Sequence, residues 1–477
     1  MTVEELVQML FSLRSEMEAR VAEANARADR AEARSDKLAT ENAELRARLG
    51  KNSNNSSKPP SSDPPYKAKP PGKKSGKKAG GQPGHAGTTR GWVPPENVDR
   101  RVAWRLDNCG CGASLLGLPA TLGSWSRQVV EIPEVKPHVT EFSFEYVRCP
   151  CCNALHAPPP VPPEATTCTG PNLTALAAAL VGEYHLSRDA AAHLLASVLG
   201  MPISAATVDN CCQQLAAALA TATAEVDEQL PLQPVVHIDE TSWKQHGLLH
   251  WMWIAVGVTV TAFAINRRRG ADQLAIWFPK RFGGVVNCDR WRPYEVFARR
   301  QLCWSHLDRD LQAIIDFTGA GAQRATLMLL GSVCMFATWH RFKQGEITRR
   351  DLQQSTQPFR NRLAKFCGDG ERQKTDRKWR NLGRDLRRQW SAVFRFLDEE
   401  GIEPTNNSAE RGLRSGVIWR RTTQGTRTDA GSIFVARIMT AAANCKRHRR
   451  GFVEFLAATL LAHRAGEQTP SLLPADS

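Results

Sequence analysis

The chain is short of negative charge: 48 Asp and Glu stand against 63 Lys and Arg, a formal net charge of +15 over 477 residues. That deficit makes an ordinary metabolic enzyme a poor fit and points to a polyanionic partner, nucleic acid above all. A secretory signal is not expected, because MTVEELVQML puts no basic residues ahead of a hydrophobic stretch. The longest apolar run, Leu248 to Ile265, makes a poor membrane span. It carries His250, Gly257, Thr259 and Thr261, and its second half is rich in β-branched residues, so it reads as two buried strands joined near Gly257. With 42% hydrophobic and 23% charged residues, wholesale disorder is excluded. What is present is enough chain for three or four domains. Several of the 13 cysteines sit in close pairs. In a protein expected to be soluble and cytoplasmic, with no membrane partner, they favour metal ligands and core positions over disulfides.

Val3, Leu6, Leu10, Leu13 and Met17 recur at spacings of three and four. After a one-residue slip the stripe resumes through Val21, Ala24, Ala28, Ala31, Ser35, Leu38, Asn42, Leu45 and Leu49. Residues 1–50 therefore read as a coiled-coil, leucine-zipper-like helix. A helix that long must bury its stripe. Either it pairs with a second copy, giving a homo-oligomer whose register Asn42 fixes, or it folds back on its own domain. Gly50 ends it, and residues 51–101 turn to Pro, Gly and Ser with 11 Lys and Arg against three acids. That composition cannot build a core. It reads as a disordered basic linker whose Lys73, Lys74, Lys77 and Lys78 add phosphate contacts, or as a soluble linker with incidental charge.

Cys109 and Cys111 lie in DNCGCGASL, and Cys149 and Cys152 in RCPCCNALH. Two pairs in small, polar turns suit a four-thiolate structural Zn²⁺ site. The second pair has zinc-knuckle spacing. The first is one residue tight, so Cys151 or His156 could stand in as a ligand. Residues 102–160 are expected to form a small zinc-binding β module, with VVEIPEVKPHVTEFSFEYVRC as two strands of a ribbon; the alternative is a β module with unliganded thiols. Beyond PPPVPPE, residues 165–228 read as three Ala-rich helices. The turn GMPIS, with Ser204 as N-cap, makes a helix-turn-helix-like region in which the third helix enters the major groove. Plain helix packing is an equally good reading.

VVHIDETSW opens the most informative stretch. Val235 to Ile238 is a short strand that delivers Asp239, and alternation puts His237, Asp239 and Thr241 on one face with Ile238 and Glu240 on the other. The two apolar strands follow as a meander, GADQLAIWF as a helix, and GGVVNCDRWRPY as a strand ending at Asp289. QLCWSHLDRDLQAIIDF is a strand edge running into a helix. This order is that of a ribonuclease H-like α/β fold, whose first and fourth strands are neighbours, so Asp239 and Asp289 should lie side by side. A third acid comes from TNNSAERGLRSGVIWRR, where Asn406, Glu410 and Arg414 share a helix face and Leu413 and Val417 face the core. A strand-end Asp by itself is more often a cap or a turn residue. Three convergent carboxylates in a basic chain make sense as a site for Mg²⁺ or Mn²⁺, two ions roughly 3.5–4 Å apart clamping the attacking and leaving oxygens of a phosphodiester.

The catalytic core would then take 232–318 and 401–430, interrupted by a helical insertion at 319–400, with 431–477 as C-terminal helices and a tail. From 341 to 395 there are 16 Lys and Arg but six acids, and Trp379 and Trp390 are interleaved with the arginines. That fits helices lying along DNA with aromatic platforms for bases better than a plain solvated face. His306 and Asp310, four apart on one helix, either support the metal ligands or are ordinary helix polar residues.

Taken in order, the heptad helix, KNSNNSSKPPSSD, GGQPGH, the paired cysteines, HIDET, CDRWRPY, CWSHLDRD and NNSAERGLR resemble a DDE transposase of the insertion-sequence 66 family, over residues 3 to about 455. The resemblance implies a multidomain α+β protein that binds the terminal inverted repeats of its element, cleaves them and joins their 3′ ends to target DNA. It implies that Asp239, Asp289 and Glu410 are the catalytic carboxylates, and that a helical insertion precedes the glutamate. Arg414, with Arg411 beside it, is expected at a phosphate near the scissile bond, and Asn406 beside the metal ligands. Small accessory transposition proteins are implied as partners. Two departures stand out: the C-x-C spacing of the first cysteine pair, and Arg290 after Asp289 where a small residue is usual. A structure-selective nuclease of the same fold and a non-enzymatic zinc and helix-turn-helix regulator are the rival readings.

Overall fold

The computed structural model of the chain describes residues 15–18, 20, 23, 26, 27, 34 and 38, and from 91 to 474 all but 105, 120–124, 163–164, 279–280 and 318. The described residues between 15 and 38 are helical, with Met17 and Leu38 exposed. The rest of the heptad seam and the basic segment with Lys73, Lys74, Lys77 and Lys78 lie outside the described residues. From 91 onward there are two compact units, one comprising 91–141 with 193–202 and the other 142–192 with 203–474. Among the described residues no helix is long and apolar enough to cross a membrane.

The ribbon expected between the cysteine pairs is not formed. Pro133 and Pro137 each remove a ladder donor. Val129, Ile132 and Val139 are exposed, so their alternation has no layer to bury against. What pairs is a two-residue hairpin, β1 (Val147–Arg148) with β2 (Leu155–His156), closing around the second cysteine turn.

Four helices follow: α1 (Pro171–Gly182), α2 (Arg188–Leu199), α3 (Ala205–Ala218) and α4 (Ala220–Gln229). Ser204 caps α3 as its sequence implies, its hydroxyl accepting the Thr207 N–H at 3.1 Å. The helix buries one face and leaves another open. It carries no Lys or Arg, buries Val208, Cys211, Cys212 and Leu215, and leaves Ala206, Asn210 and Ala217 exposed. It is packed between α1 and the two C-terminal helices.

The central sheet has five strands: β3 (Val235–Gln245), β4 (Leu248–Val256), β5 (Thr261–Asn266), β6 (Val285–Cys288) and β7 (Arg300–Leu302), in the order β5-β4-β3-β6-β7. The apolar run is thus two buried strands, as read. β3 and β4 join through His246 and Gly247, both at positive φ, the two-residue turn whose twist suits a hairpin. β6 and β7 run parallel to β3, so the first and fourth strands are neighbours. The segment before β6 is a 3₁₀ helix (Ala271–Ile276) instead of an α-helix. A three-residue repeat eclipses positions three apart, which buries Leu274 and Trp277 together.

Beyond the sheet come α5 (Trp304–Asp316), α6 (Ala322–Lys343), α7 (Arg349–Glu371) and α8 (Arg377–Arg388), two single turns, α9 (Trp390–Val393) and α10 (Arg395–Asp398), and then α11 (Asn407–Thr423), α12 (Asp429–Arg447) and α13 (Phe452–Ala465). The insertion is no separate lobe. Leu302, Trp304, Leu307 and Leu311 share one core with Trp339, Leu352, Phe359, Leu363 and Phe396. Trp379, expected as a base-stacking platform, belongs to that core. It is 1% exposed, stacks on Phe366 at 5.3 Å and donates its indole N–H to the Phe366 carbonyl at 3.0 Å. Trp390 is partly buried against Phe394. Aromatic volume is what fills a three-helix junction.

Helix α12 covers the edge of the sheet. Its buried Asn444 accepts from the Thr261 N–H at 3.0 Å and donates to the Thr261 carbonyl at 2.7 Å, and Thr440 accepts the Phe263 N–H at 3.0 Å. The open side of β5 is thereby satisfied by side chains. Helix α11 lies on β3 and β4 through two glycines. A Cβ at Gly412 would collide with the Ile254 side chain, and one at Gly416 with Met252; both neighbours are fully buried. Leu413 faces this core as read, whereas Val417 is only half-buried and Gly416 and Trp419 take the inward positions. Gly416→Ala is expected to cost about 1–3 kcal/mol of overpacking, offset by at most about 1 kcal/mol of helix propensity. Thermal melting should register a net loss.

Candidate active site

The parallel register of β3 and β6 pairs His237 with Asn287. Two residues further along stand Asp239, midway along β3, and Asp289, just past the last residue of β6, at matching positions on adjacent strands. Asp239 accepts the N–H of Glu240 at 2.9 Å, and Asp289 that of Trp291 at 2.8 Å. Burial raises the pKa of both carboxyls. Asp239 is pushed well up, with the charges of Glu240, Asp289 and Glu410 adding to burial. Asp289 is also raised, and only partly relieved by the Trp291 N–H and by Arg269 and Arg290.

Glu410 arrives in the first turn of α11, and the loop before that helix is bolted to the strand ends by two buried asparagines. Asn406 donates through its side chain to the Ile238 carbonyl at 2.7 Å and contacts His237 Nδ1 at 3.2 Å, and its backbone N–H points at Cys303 Sγ at 3.1 Å. Asn287, next to Cys288 and Asp289, donates to the Glu403 carbonyl at 2.7 Å and the Thr405 carbonyl at 3.2 Å. Alternation along β3 holds on both faces. His237 and Thr241 meet α11 and its start, Thr241 through Arg420 at 3.1 Å, while Glu240 points the other way.

That opposite face holds residues which sequence reasoning missed. The Glu240 carboxylate is buried and held by Arg269, at 2.8 Å from Nε, and by the Tyr294 hydroxyl. Arg269 in turn lies over the rings of Trp251 (4.6 Å) and Trp291 (4.2 Å). The cluster fixes the loop carrying Asp289. Its only sequence signal was the position of Glu240 beside Asp239 in HIDET and of Trp291 and Tyr294 in CDRWRPY. Arg290, the departure from the family pattern, is accounted for. Asp310 accepts from it at 2.7 and 2.9 Å and Asp385 at 3.1 Å, tying the strand end to α5 and to the insertion.

His306 lies on α5 with Nδ1 at 3.6 Å from Glu410 Oε1. Burial and the neighbouring Arg309 and Arg290 lower its pKa to about 4, so it is neutral at physiological pH. Arg411 and Arg414 are exposed on α11. Among the described residues, Cys303, His306 and Glu410 are the His, Cys, Asp and Glu trio whose ligand atoms all lie within 4.8 Å of one another; Asp239, Asp289 and Glu410 are spread wider. Buried acids that raise one another's pKa fit a divalent cation, since a bound charge would relieve the burial cost and the repulsion together.

The cysteine turns are each built to favour a thiolate. In the first, hydrogen bonds from Ala113 and Cys109 lower the Cys111 pKa. In the second, the backbone of Cys152 and Cys151 lowers that of Cys149. The first turn belongs to one compact unit and the second to the other.

Asp239 and Asp289 on adjacent strands, with Glu410 on the helix packed over β3, belong to a chain whose excess of positive charge suits a nucleic-acid partner. The family model described as the transposase IS66 family matches residues 166–433, more than half of the chain, and the chain belongs to that family. A second model, of a family of unknown function, matches residues 12–91. No curated protein matches. Membership implies a transposase, an enzyme that cuts and joins DNA and therefore binds it.

Folding holds both aspartates above their unfolded pKa, so the stability they contribute is present below the unfolded value and lost as pH rises through the folded one. Asp239→Asn keeps the acceptor for Glu240 and removes the charge. Without divalent cations it should melt a few °C above the unaltered chain at about pH 7.5, with the gap narrowing toward about pH 5. Calorimetry at both pH values checks this, and an unchanged or lower melting point at the higher pH would refute the repulsion.

Proposed function

We propose that the chain is a DDE transposase with a ribonuclease H-like catalytic core, which cleaves the ends of its insertion sequence and joins their 3′ ends to target DNA. The observation that carries this reading is the side-by-side placement of Asp239 on β3 and Asp289 just past β6, in a sheet of order β5-β4-β3-β6-β7, with α11 packed on β3 and β4 to bring Glu410. Asp239, Asp289 and Glu410 would hold two Mg²⁺ or Mn²⁺ ions, a hard-cation set of carboxylate oxygens. Bound there, such ions polarise the scissile phosphate, make water a nucleophile at neutral pH and stabilise the leaving 3′-oxygen.

The remaining work falls to the chain itself. Asn406 holds the start of α11 against β3, and so sets where Glu410 stands relative to Asp239. Arg290 and Asp310 together brace the strand end that carries Asp289. Arg414 and Arg411 would bind phosphates beside the scissile bond, and Lys73, Lys74, Lys77 and Lys78 phosphates further out, by charge alone. The N-terminal helix would pair two subunits so that both element ends are processed together. The cysteine turns, Cys109 with Cys111 and Cys149 with Cys152, would supply thiolate ligands for structural Zn²⁺. Small accessory proteins complete the assembly in this reading.

The test is a cleavage and joining assay with the full chain, Mg²⁺ and DNA bearing the element's own ends. Nicks at the ends and joined products are expected, both falling by on the order of 10²–10³-fold or more in Asp239→Ala and Glu410→Gln. Nicks that never join to a second DNA would favour a structure-selective nuclease instead. Binding and transcriptional effects untouched by Asp239→Ala would favour a regulator.

A further inference from the structure

Glu410 faces two sets of partners. On one side lies Asp239, whose pKa is raised in part by its charge. On the other lie a thiol and an imidazole from the start of α5. Cys303 is the N-cap of that helix and His306 is in its first turn, so both face α11. Cys303 Sγ is 4.0 Å and His306 Nδ1 3.6 Å from the same oxygen, Glu410 Oε1, and the three ligand atoms lie within 4.8 Å of one another. A tetrahedral zinc ion with its usual bond lengths holds sulfur, nitrogen and oxygen ligands about 3.4–3.6 Å apart. The two distances to Glu410 Oε1 are therefore within a few tenths of an ångström of that spacing, and the sulfur and nitrogen, within 4.8 Å of each other, would draw together on an ion.

Other observations point the same way. His306 Nδ1 is buried with no hydrogen-bond partner, an orphan atom on a neutral ring. The Asn406 N–H already points at Cys303 Sγ at 3.1 Å, the second-sphere donor that a metal-bound thiolate takes. The thiol itself is held up at about 11 by burial and the Glu410 charge, a barrier that a coordinating cation removes by displacing the proton outright. Arg309 Nη2 stands 4.0 Å from Glu410 Oε1 on a partly exposed side chain, and it would have to yield.

We propose that Cys303, His306 and Glu410 form a site for a thiophilic divalent cation, Zn²⁺ being the commonest, and that filling it withdraws Glu410 from Asp239 and Asp289. The site takes three protein ligands and leaves a fourth position for water. A sulfur–nitrogen–oxygen set selects against Mg²⁺, which requires oxygen ligands. One carboxylate is thus contested by two metals of different softness, and zinc would act as an inhibitor of Mg²⁺-driven cleavage. The inhibitory half rests on the catalytic reading of Glu410; the binding half does not.

The experiment is a Zn²⁺ titration of the full chain, stripped with chelator, beside Cys303→Ser, His306→Gln and Glu410→Gln. The cysteine turns at 109–111 and 149–152 are present in every variant, so they cancel. One Zn²⁺ equivalent is expected to weaken by at least about tenfold, about 1.4 kcal/mol, in all three variants, with the others unchanged. With Co²⁺ as probe, the thiolate charge-transfer absorption of that equivalent should vanish in Cys303→Ser alone. Equal stoichiometry and affinity in all four proteins would overturn the site. Should Cys303→Ser fail to fold, the half-exposed Glu410→Gln decides, since it disturbs no core contact. In the cleavage assay Zn²⁺ should inhibit the wild-type chain and inhibit His306→Gln less. Zinc bound as expected without inhibition would overturn the withdrawal of Glu410. Zinc bound as expected by a chain that cuts no DNA would leave the site standing and refute the catalytic reading.

Discussion

Everything at the acidic site hangs on how one loop is tied to two strands and a helix. Asn406, 1% exposed, reaches back across 168 residues of chain to the Ile238 carbonyl and at the same time offers its own N–H to Cys303. Asn287, fully buried beside Cys288, takes the Glu403 and Thr405 carbonyls, and the Trp304 N–H takes that of Pro404 at 2.9 Å. A buried amide leaves little slack, because any slip strands a polar group away from water. The loop is held by bonds of that kind from β3, β6 and α5 together. The first turn of α11, and with it Glu410, is therefore placed by the same strands that place the two aspartates.

The site stores tension that a bound cation would release. Asp239, Asp289 and Glu240 are buried near one another, and each is held above its ordinary pKa with burial as the largest cause. Glu240 has a dedicated counter-charge in Arg269, itself flanked by Trp251 and Trp291. Asp289 feels Arg269 and Arg290 more weakly, and Asp239 has no cation among the causes acting on it. The gradient of compensation across three carboxyls separates a structural acid from two that are kept hungry for charge.

The insertion serves the same purpose from the other side. Its helices share one core with β7 and α5, and Asp385 of α8 joins Asp310 in holding Arg290. A segment rich in arginine and tryptophan reads from sequence as a DNA-facing surface. In the fold its Trp379 is core and several of its arginines are spent on internal pairs, such as Arg387 with Glu371 and Arg388 with Glu295. Charge alternating with aromatics cannot by itself reveal which face a helix buries.

Much of the architecture was legible in local patterning. The alternation of VVHIDETSW, the break near Gly257, the Ser204 cap and the four-residue spacing from Asn406 to Glu410 each depend on a few consecutive residues and a fixed period, and the structure has all four. The adjacency of the first and fourth strands followed from element order. Two readings failed where no local rule decides. Residues 129–146 alternate but have no layer to bury against. The segment 271–276 is a short 3₁₀ helix instead of an α-helix, with Leu274 and Trp277 both inward. The Glu240–Arg269–Tyr294 cluster and the Cys303–His306–Glu410 trio draw on segments 25 to 107 residues apart, and no periodicity carries that information. What the sequence determined was which residues could be strand, helix, cap or carboxylate, because those depend on backbone period and side-chain type. Which of them share a carboxylate, an arginine or a buried amide was decided only when the loop before α11 closed onto β3 and β6, since proximity between distant segments is a property of packing.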